Sequence, residues 1–149
     1  MIVQFLIQCT VSFVATLAFS ILFHAPKRQY VACGATGMAG WGVYWLSVQL
    51  GASVVLGSFF GALALALLTR ILSVVCRCPS VVYITAGIFP LVPGAGIYYT
   101  VYYFIMGDND ACLAKGVETL KIAVVIALGI LAVLSLPRGL FRRLEHRPG

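Results

Sequence analysis

Charge is what this sequence has least of. Only 9% of its 149 residues are charged, against 62% that are hydrophobic, whereas a soluble domain carries about 25% charged residues. Such a chain cannot cover itself with a water-facing surface, which excludes a soluble enzyme. Acids are scarcest, with four Asp and Glu against ten Lys and Arg, and there are two histidines. No Asp or Glu is expected inside a membrane span, and His24 and His146 fall at a membrane boundary and in the tail. A nucleophile with its base and orienting group cannot be assembled from that set, so catalysis is not expected. The cysteines are odd in number, at five, and scattered. Cys76 and Cys78 form C-x-C rather than the C-x-x-C of a zinc or redox site, so they read as small apolar fillers, and no metal or cofactor is expected. The net charge of +6 raises the question of nucleic acid. The basic residues flank apolar runs instead of forming an aromatic-interleaved patch, so that partner is excluded.

What remains is a series of long apolar stretches. The expected fold is an all-α integral membrane protein of about five transmembrane helices in one domain covering 1–149. The spans fall at about 2–23, 30–50, 52–75, 81–106 and 117–136, followed by a basic cytoplasmic tail at 137–149. Each can cross a hydrocarbon core of about 30 Å. No basic residue precedes the first span and no small-x-small cleavage site follows it. Pro26, Lys27 and Arg28 come next, as in an anchor whose N-terminus lies outside. A tight turn at Gly51 makes spans two and three a hairpin, and Pro137 stops the last helix. Lys27 and Arg28, Arg70 and Arg77, and Arg138, Arg142, Arg143 and Arg147 all fall on one side of a five-span chain. The opposite loops carry no charge at Gly51, or Asp108, Asp110, Lys115 and Glu118. The positive-inside rule then puts the N-terminus outside and the C-terminus inside. Arg70 and Lys121 lie close enough to helix ends to snorkel to the headgroups.

The second span is rich in small residues, with Gly34, Gly37, Gly40 and Gly42 among Ala32, Ala35 and Ala39. The third carries Gly57 and Gly61 at G-x-x-x-G spacing. Small residues at helical spacing let membrane helices approach closely. The expectation is internal packing of spans two and three, with contact to another subunit as the alternative. Trp41, Tyr44 and Trp45 share one face and are expected against lipid or a partner.

The fourth span is unlike the others. It reads Ala86-Gly87-Ile88-Phe89-Pro90-Leu91-Val92-Pro93-Gly94-Ala95-Gly96-Ile97-Tyr98-Tyr99. Pro90 and Pro93 each remove a backbone donor and clash with the preceding turn, while Gly94 and Gly96 permit unusual backbone angles. As one straight helix, 81–106 would be about 40 Å long, more than the membrane core needs. A break is therefore expected at Pro-x-x-Pro-Gly. It would leave free carbonyls on one half-helix and free N–H groups on the other, which lipid does not tolerate unless protein or a watery cavity receives them. Broken helices of this kind build substrate sites in secondary transporters, with a half-helix N-terminus facing an anionic group. The candidate substrate-binding residues are Pro90, Pro93, Gly94, Ala95 and Gly96, the amides of the last three receiving a carboxylate. Thr85, Tyr98 and Thr100 are the nearest polar side chains. Tyr98, Tyr99, Tyr102 and Tyr103 form two stripes at i, i+4 spacing, some of them belt aromatics at the outer interface.

At this segment the sequence resembles the threonine/serine exporter (ThrE) family, and more closely the small five-span proteins of its C-terminal-half type (YjjB-like). The residues that carry the likeness are Gly87-Ile88-Phe89-Pro90-Leu91-Val92-Pro93-Gly94, then Tyr98, Gly107-Asp108 and the alanine-rich last span. The glycine-rich second span and Pro79 also fit. The resemblance implies one part of a split exporter in the bacterial inner (plasma) membrane. Its partner would be a separate five-span subunit of the same family, and its substrate a small carboxylate, either a threonine/serine-type amino acid or a succinate-type dicarboxylate. Two five-span halves of opposite orientation would form an inverted-topology pair. With no carboxylate expected within a span, a titrating group for proton coupling would come from the partner. Two other readings stand beside this one: a non-transporting assembly or scaffold subunit, and a channel made by homo-oligomerisation.

Overall fold

The computed structural model describes residues 2–136, and every regular element among them is helical. Six α-helices follow one another: α1 (Ile2–Leu22), α2 (Tyr30–Gln49), α3 (Val54–Val75), α4 (Ser80–Gly87), α5 (Gly94–Ile105) and α6 (Asn109–Leu134). Short 3-10 turns occupy Lys27–Gln29 and Phe89–Leu91.

The connections are tight because four helices end in the same device. α1, α2, α3 and α5 are each followed by a residue in the left-handed region, respectively His24 (φ 53°), Gly51 (φ 93°), Arg77 (φ 50°) and Gly107 (φ 75°). The next N–H then bonds back to the carbonyl five residues earlier: Ala25 to Ser20 (3.0 Å), Ala52 to Ser47 (3.0 Å), Cys78 to Ser73 (3.2 Å) and Asp108 to Tyr103 (3.0 Å). This is the Schellman arrangement, which satisfies carbonyls that would otherwise be orphaned at a helix end. Side chains open two of the helices that follow. Ser53 Oγ accepts from the Leu56 amide at 3.3 Å, and Asp108 Oδ1 accepts from the Ala111 amide at 3.0 Å. With Asp110 also in the first turn, α6 carries negative charge where the helix dipole favours it.

α2 lies at the centre, packed against α1, α3 and α4, while α6 closes on α3 and α5. Its small residues serve two neighbours. A Cβ on Gly34 would come within 2.7 Å of the Phe13 ring, and one on Gly37 would collide with Thr16, so these two receive α1. On the other side a Cβ on Gly61 would stand 2.7 Å from the Gly40 carbonyl, and one on Gly57 would stand 2.9 Å from Val48. Gly34, Gly37, Gly57 and Gly61 are all buried within the chain's own helix contacts. The packing extends beyond spans two and three, because Gly34 and Gly37 face α1. Ala62, Leu65, Leu91, Ile122 and Ile126 form the larger apolar cluster, between α3, the 3-10 turn and α6.

α1, α3 and α6 are long and apolar enough to cross a membrane, and the α4–α5 unit makes a fourth crossing if it counts as one bent span. The chain is thus built as a multi-pass membrane protein. α2 has the length, at 20 residues, but less apolar character. Its neighbours on three sides explain this, since a helix enclosed by protein needs little lipid-facing surface. The last helix begins at Asn109, well before the 117 expected from hydropathy, because the Asp108 cap starts it early. Glu118, with Lys115, therefore lies within the first three turns of α6 rather than in a loop. Arg70 is tied down as well as placed near a helix end: its guanidinium donates to the Leu136 carbonyl at 2.9 Å. The basic tail at 137–149, with Pro137 and His146, lies outside the described residues.

Candidate functional site

The two prolines divide the fourth apolar stretch. α4 stops at Gly87, the turn Phe89–Leu91 follows, and Val92 takes an extended conformation (φ −59°, ψ 129°), the one favoured before proline. Pro93 (φ −75°, ψ 59°) is the centre of an inverse γ-turn that the Gly94 amide closes onto the Val92 carbonyl at 2.7 Å. α5 then leaves at 53° to the Ser80–Leu91 segment. The halves are held apart by packing. α4 ends against α2, where a Cβ on Gly87 would meet the Thr36 hydroxyl at 2.5 Å. α5 rests on α6, where a Cβ on Gly96 would collide with Thr119.

The backbone accounting separates the three amides named for a carboxylate. That of Gly94 is taken by the γ-turn, and Ile97 bonds to the Pro93 carbonyl at 3.0 Å. Those of Ala95 and Gly96 have no backbone partner among the described residues and are the open donors of the first turn of α5.

These donors border a cavity of about 330 Å³, within the range of small-ligand sites. Pro90, Pro93, Gly94, Ala95 and Gly96 form one wall. Ser58 of α3, Trp41 and Tyr44 of α2, and Lys115, Glu118 and Thr119 of α6 supply the others. Nothing lies within 4 Å of where a Cβ on Gly94 would be, so this glycine faces open space. Trp41 and Tyr44 are half-buried and turn toward this cavity, with ring centroids 4.9 Å apart. The Trp41 indole N–H donates to Gln8 Oε1 of α1 at 2.9 Å. On that side a smaller cavity of about 180 Å³, bounded by Gln8, Ser12, Trp41 and Pro90, meets the first across the Trp41–Pro90 wall.

Of the polar side chains expected at the site, none lines this cavity. Thr100 donates to the Gly96 carbonyl at 2.7 Å and faces a second, apolar cavity of about 450 Å³ between α5 and α6. Tyr98 is 63% exposed on the outer face of α5, stacked with Tyr102. Thr85 is half-buried on α4 and lines neither cavity. In their place stands an ion pair that hydropathy had assigned to a loop. Lys115 Nζ bonds Glu118 Oε2 at 2.8 Å across one turn of α6. Thr119 donates to the Lys115 carbonyl at 2.7 Å and Ser58 to the Val54 carbonyl at 2.8 Å, leaving both hydroxyl oxygens able to accept. Cys76 and Cys78 lie elsewhere, packed with Cys33 around Tyr83, whose hydroxyl donates to Gln29 at 2.7 Å. Among the described residues no three His, Cys, Asp or Glu side chains group as metal ligands would.

The profile of the family described as "Threonine/Serine exporter, ThrE" matches residues 8–136. The chain belongs to that family. A "Probable threonine/serine exporter" of Mycobacterium tuberculosis is 26% identical over 116 residues, which cover 76% of this chain and 22% of that protein. The chain thus spans about a fifth of the length of this ThrE-family relative. No solved structure matches it. The family is described by export and is not an enzyme class.

Proposed function

We propose that this chain is one membrane half of a secondary exporter of small carboxylates, acting with a separate five-span partner, and that the cavity at the α4–α5 break receives the substrate. The observation that carries this reading is the cavity itself, walled by a helix broken at Pro90 and Pro93 in a protein of an exporter family. Non-helical backbone at membrane depth is tolerated where it lines a cavity, and half-helix ends are where transporters hold charged substrates. A carboxylate docks on the open amides of Ala95 and Gly96, with the Ser58 and Thr119 hydroxyls within the same walls. The substrate is an amino acid of the threonine/serine type or a succinate-type dicarboxylate.

In this reading α2 also crosses the bilayer, giving five spans, with the N-terminus outside and the C-terminus at the cytoplasmic face of a bacterial inner membrane. The scaffold alternative relied on glycine faces free to dock a partner, whereas Gly34, Gly37, Gly57 and Gly61 are consumed by the chain's own packing. The test is release of amino and dicarboxylic acids from preloaded cells making this chain, the partner, or both. Efflux only with both supports the split exporter. Efflux from this chain alone would refute it in favour of a homo-oligomeric channel, and a recoverable complex with no efflux would favour the scaffold.

A further inference from the structure

The charged side chains on the cavity wall are two, Lys115 and Glu118, and they sum to zero. An ion pair spaced i, i+3 on a helix contributes little to that helix. These two are 38% and 44% exposed, on α6, and both line the cavity. The bond to Glu118 raises the Lys115 pKa, so both groups are held charged at the cavity wall. Opposite them stand the Trp41 and Tyr44 rings, which lower the local polarity and lengthen the reach of each charge.

We infer that Lys115 and Glu118 are the charge-reading residues of the cavity. The inference rests on the exporter reading of this same site. A substrate that enters exchanges their mutual bond for two new ones, Lys115 to the carboxylate that the Ala95 and Gly96 amides also receive, and Glu118 to an ammonium group. A solute bearing one of each keeps the cavity neutral. A dicarboxylate adds two negative charges beside Glu118 with one cation to meet them, so Glu118 is the element that rejects it. The sequence hides this role because hydropathy puts Lys115 and Glu118 in the polar loop between spans four and five.

The experiment compares threonine and succinate efflux from cells making the full chain with its partner. Glu118→Gln removes the repelling charge and should raise the succinate-to-threonine ratio about tenfold, the scale of one charge-assisted hydrogen bond. Lys115→Gln should lower efflux of both acids about tenfold. The exchanged pair Lys115→Glu/Glu118→Lys restores neutrality and should bring the ratio back toward the wild-type value. Asp110→Asn, the same change of charge at an exposed position off the cavity, should leave the ratio alone. A structural role for the pair would lower both fluxes together in every variant at constant ratio, which overturns the inference while the exporter reading stands. A ratio shifted equally by Asp110→Asn also overturns it, since surface potential would then be the cause. No efflux of either acid from the wild-type pair overturns the exporter reading, and the inference with it.

Discussion

Glycine does opposite work in two parts of this molecule. At Gly61 it lets two helices touch, with the Gly40 carbonyl where a side chain would begin; at Gly94 nothing stands within 4 Å. In the first region the missing side chain is filled by protein, and α1, α2 and α3 form a tight body. In the second it is left as space, kept open because Pro90 and Pro93 stop the two half-helices from closing into one rod. Small residues therefore mark close packing or a cavity depending on whether proline lets the helices come together.

The largest effect should follow from filling the packed side. Gly61→Leu must displace backbone, and overpacking costs about 1–3 kcal/mol or more, so detergent-solubilised protein should melt far earlier or fail to accumulate. Gly94→Leu puts the same side chain into open space. It should leave the melting temperature close to wild type while efflux falls at least about tenfold, because the chain then occupies its own site. Equal melting losses in these two variants would break the comparison. Pro93→Ala removes the γ-turn and allows α5 to extend backward, so efflux should drop several-fold with stability unchanged or higher. Trp41→Phe keeps an aromatic side chain but loses the pyrrole half of the indole with its donor to Gln8, a hydrogen bond of about 1 kcal/mol, visible as a small shift in thermal unfolding. Ser53→Ala, which removes the cap of α3, should cost about as much, roughly 0.5–2 kcal/mol, and should not alter efflux.

Much of this was legible in the residues. The break was readable because two prolines and two glycines leave a helix no alternative, and the close packing because glycines recur at helical spacing. What periodicity could not say was which way a face points. In water a polar face turns outward, but lipid is as apolar as a protein interior, so nothing in the spacing of Trp41 and Tyr44 sends them inward. Hydropathy averages over Lys115 and Glu118 and so leaves them in a loop. The signal that could have placed them in a helix was the Asp108-Asn109-Asp110 run, a cap followed by an acidic first turn. The sequence makes the Gly94 amide look free because it does not show a γ-turn that closes on Val92. The turns following α1 and α3 were equally hidden, since left-handed His24 and Arg77 stand where glycine would be the expected choice.

α1 presents Ser12, Thr16 and Ser20 to the interior, one per turn. Thr16 and Ser20 each donate at 2.8 Å to the carbonyl four residues earlier in their own helix, while Ser12 reaches across to the Gly37 carbonyl of α2 at 3.0 Å. Two of the three hydroxyls are therefore content in a solitary helix, and lipid exacts no penalty for them. As the chain is synthesised, α1 can enter the bilayer before α2 follows it. The Ser12 hydroxyl then fixes the height at which α2 settles, so the order of the chain is also an order of assembly.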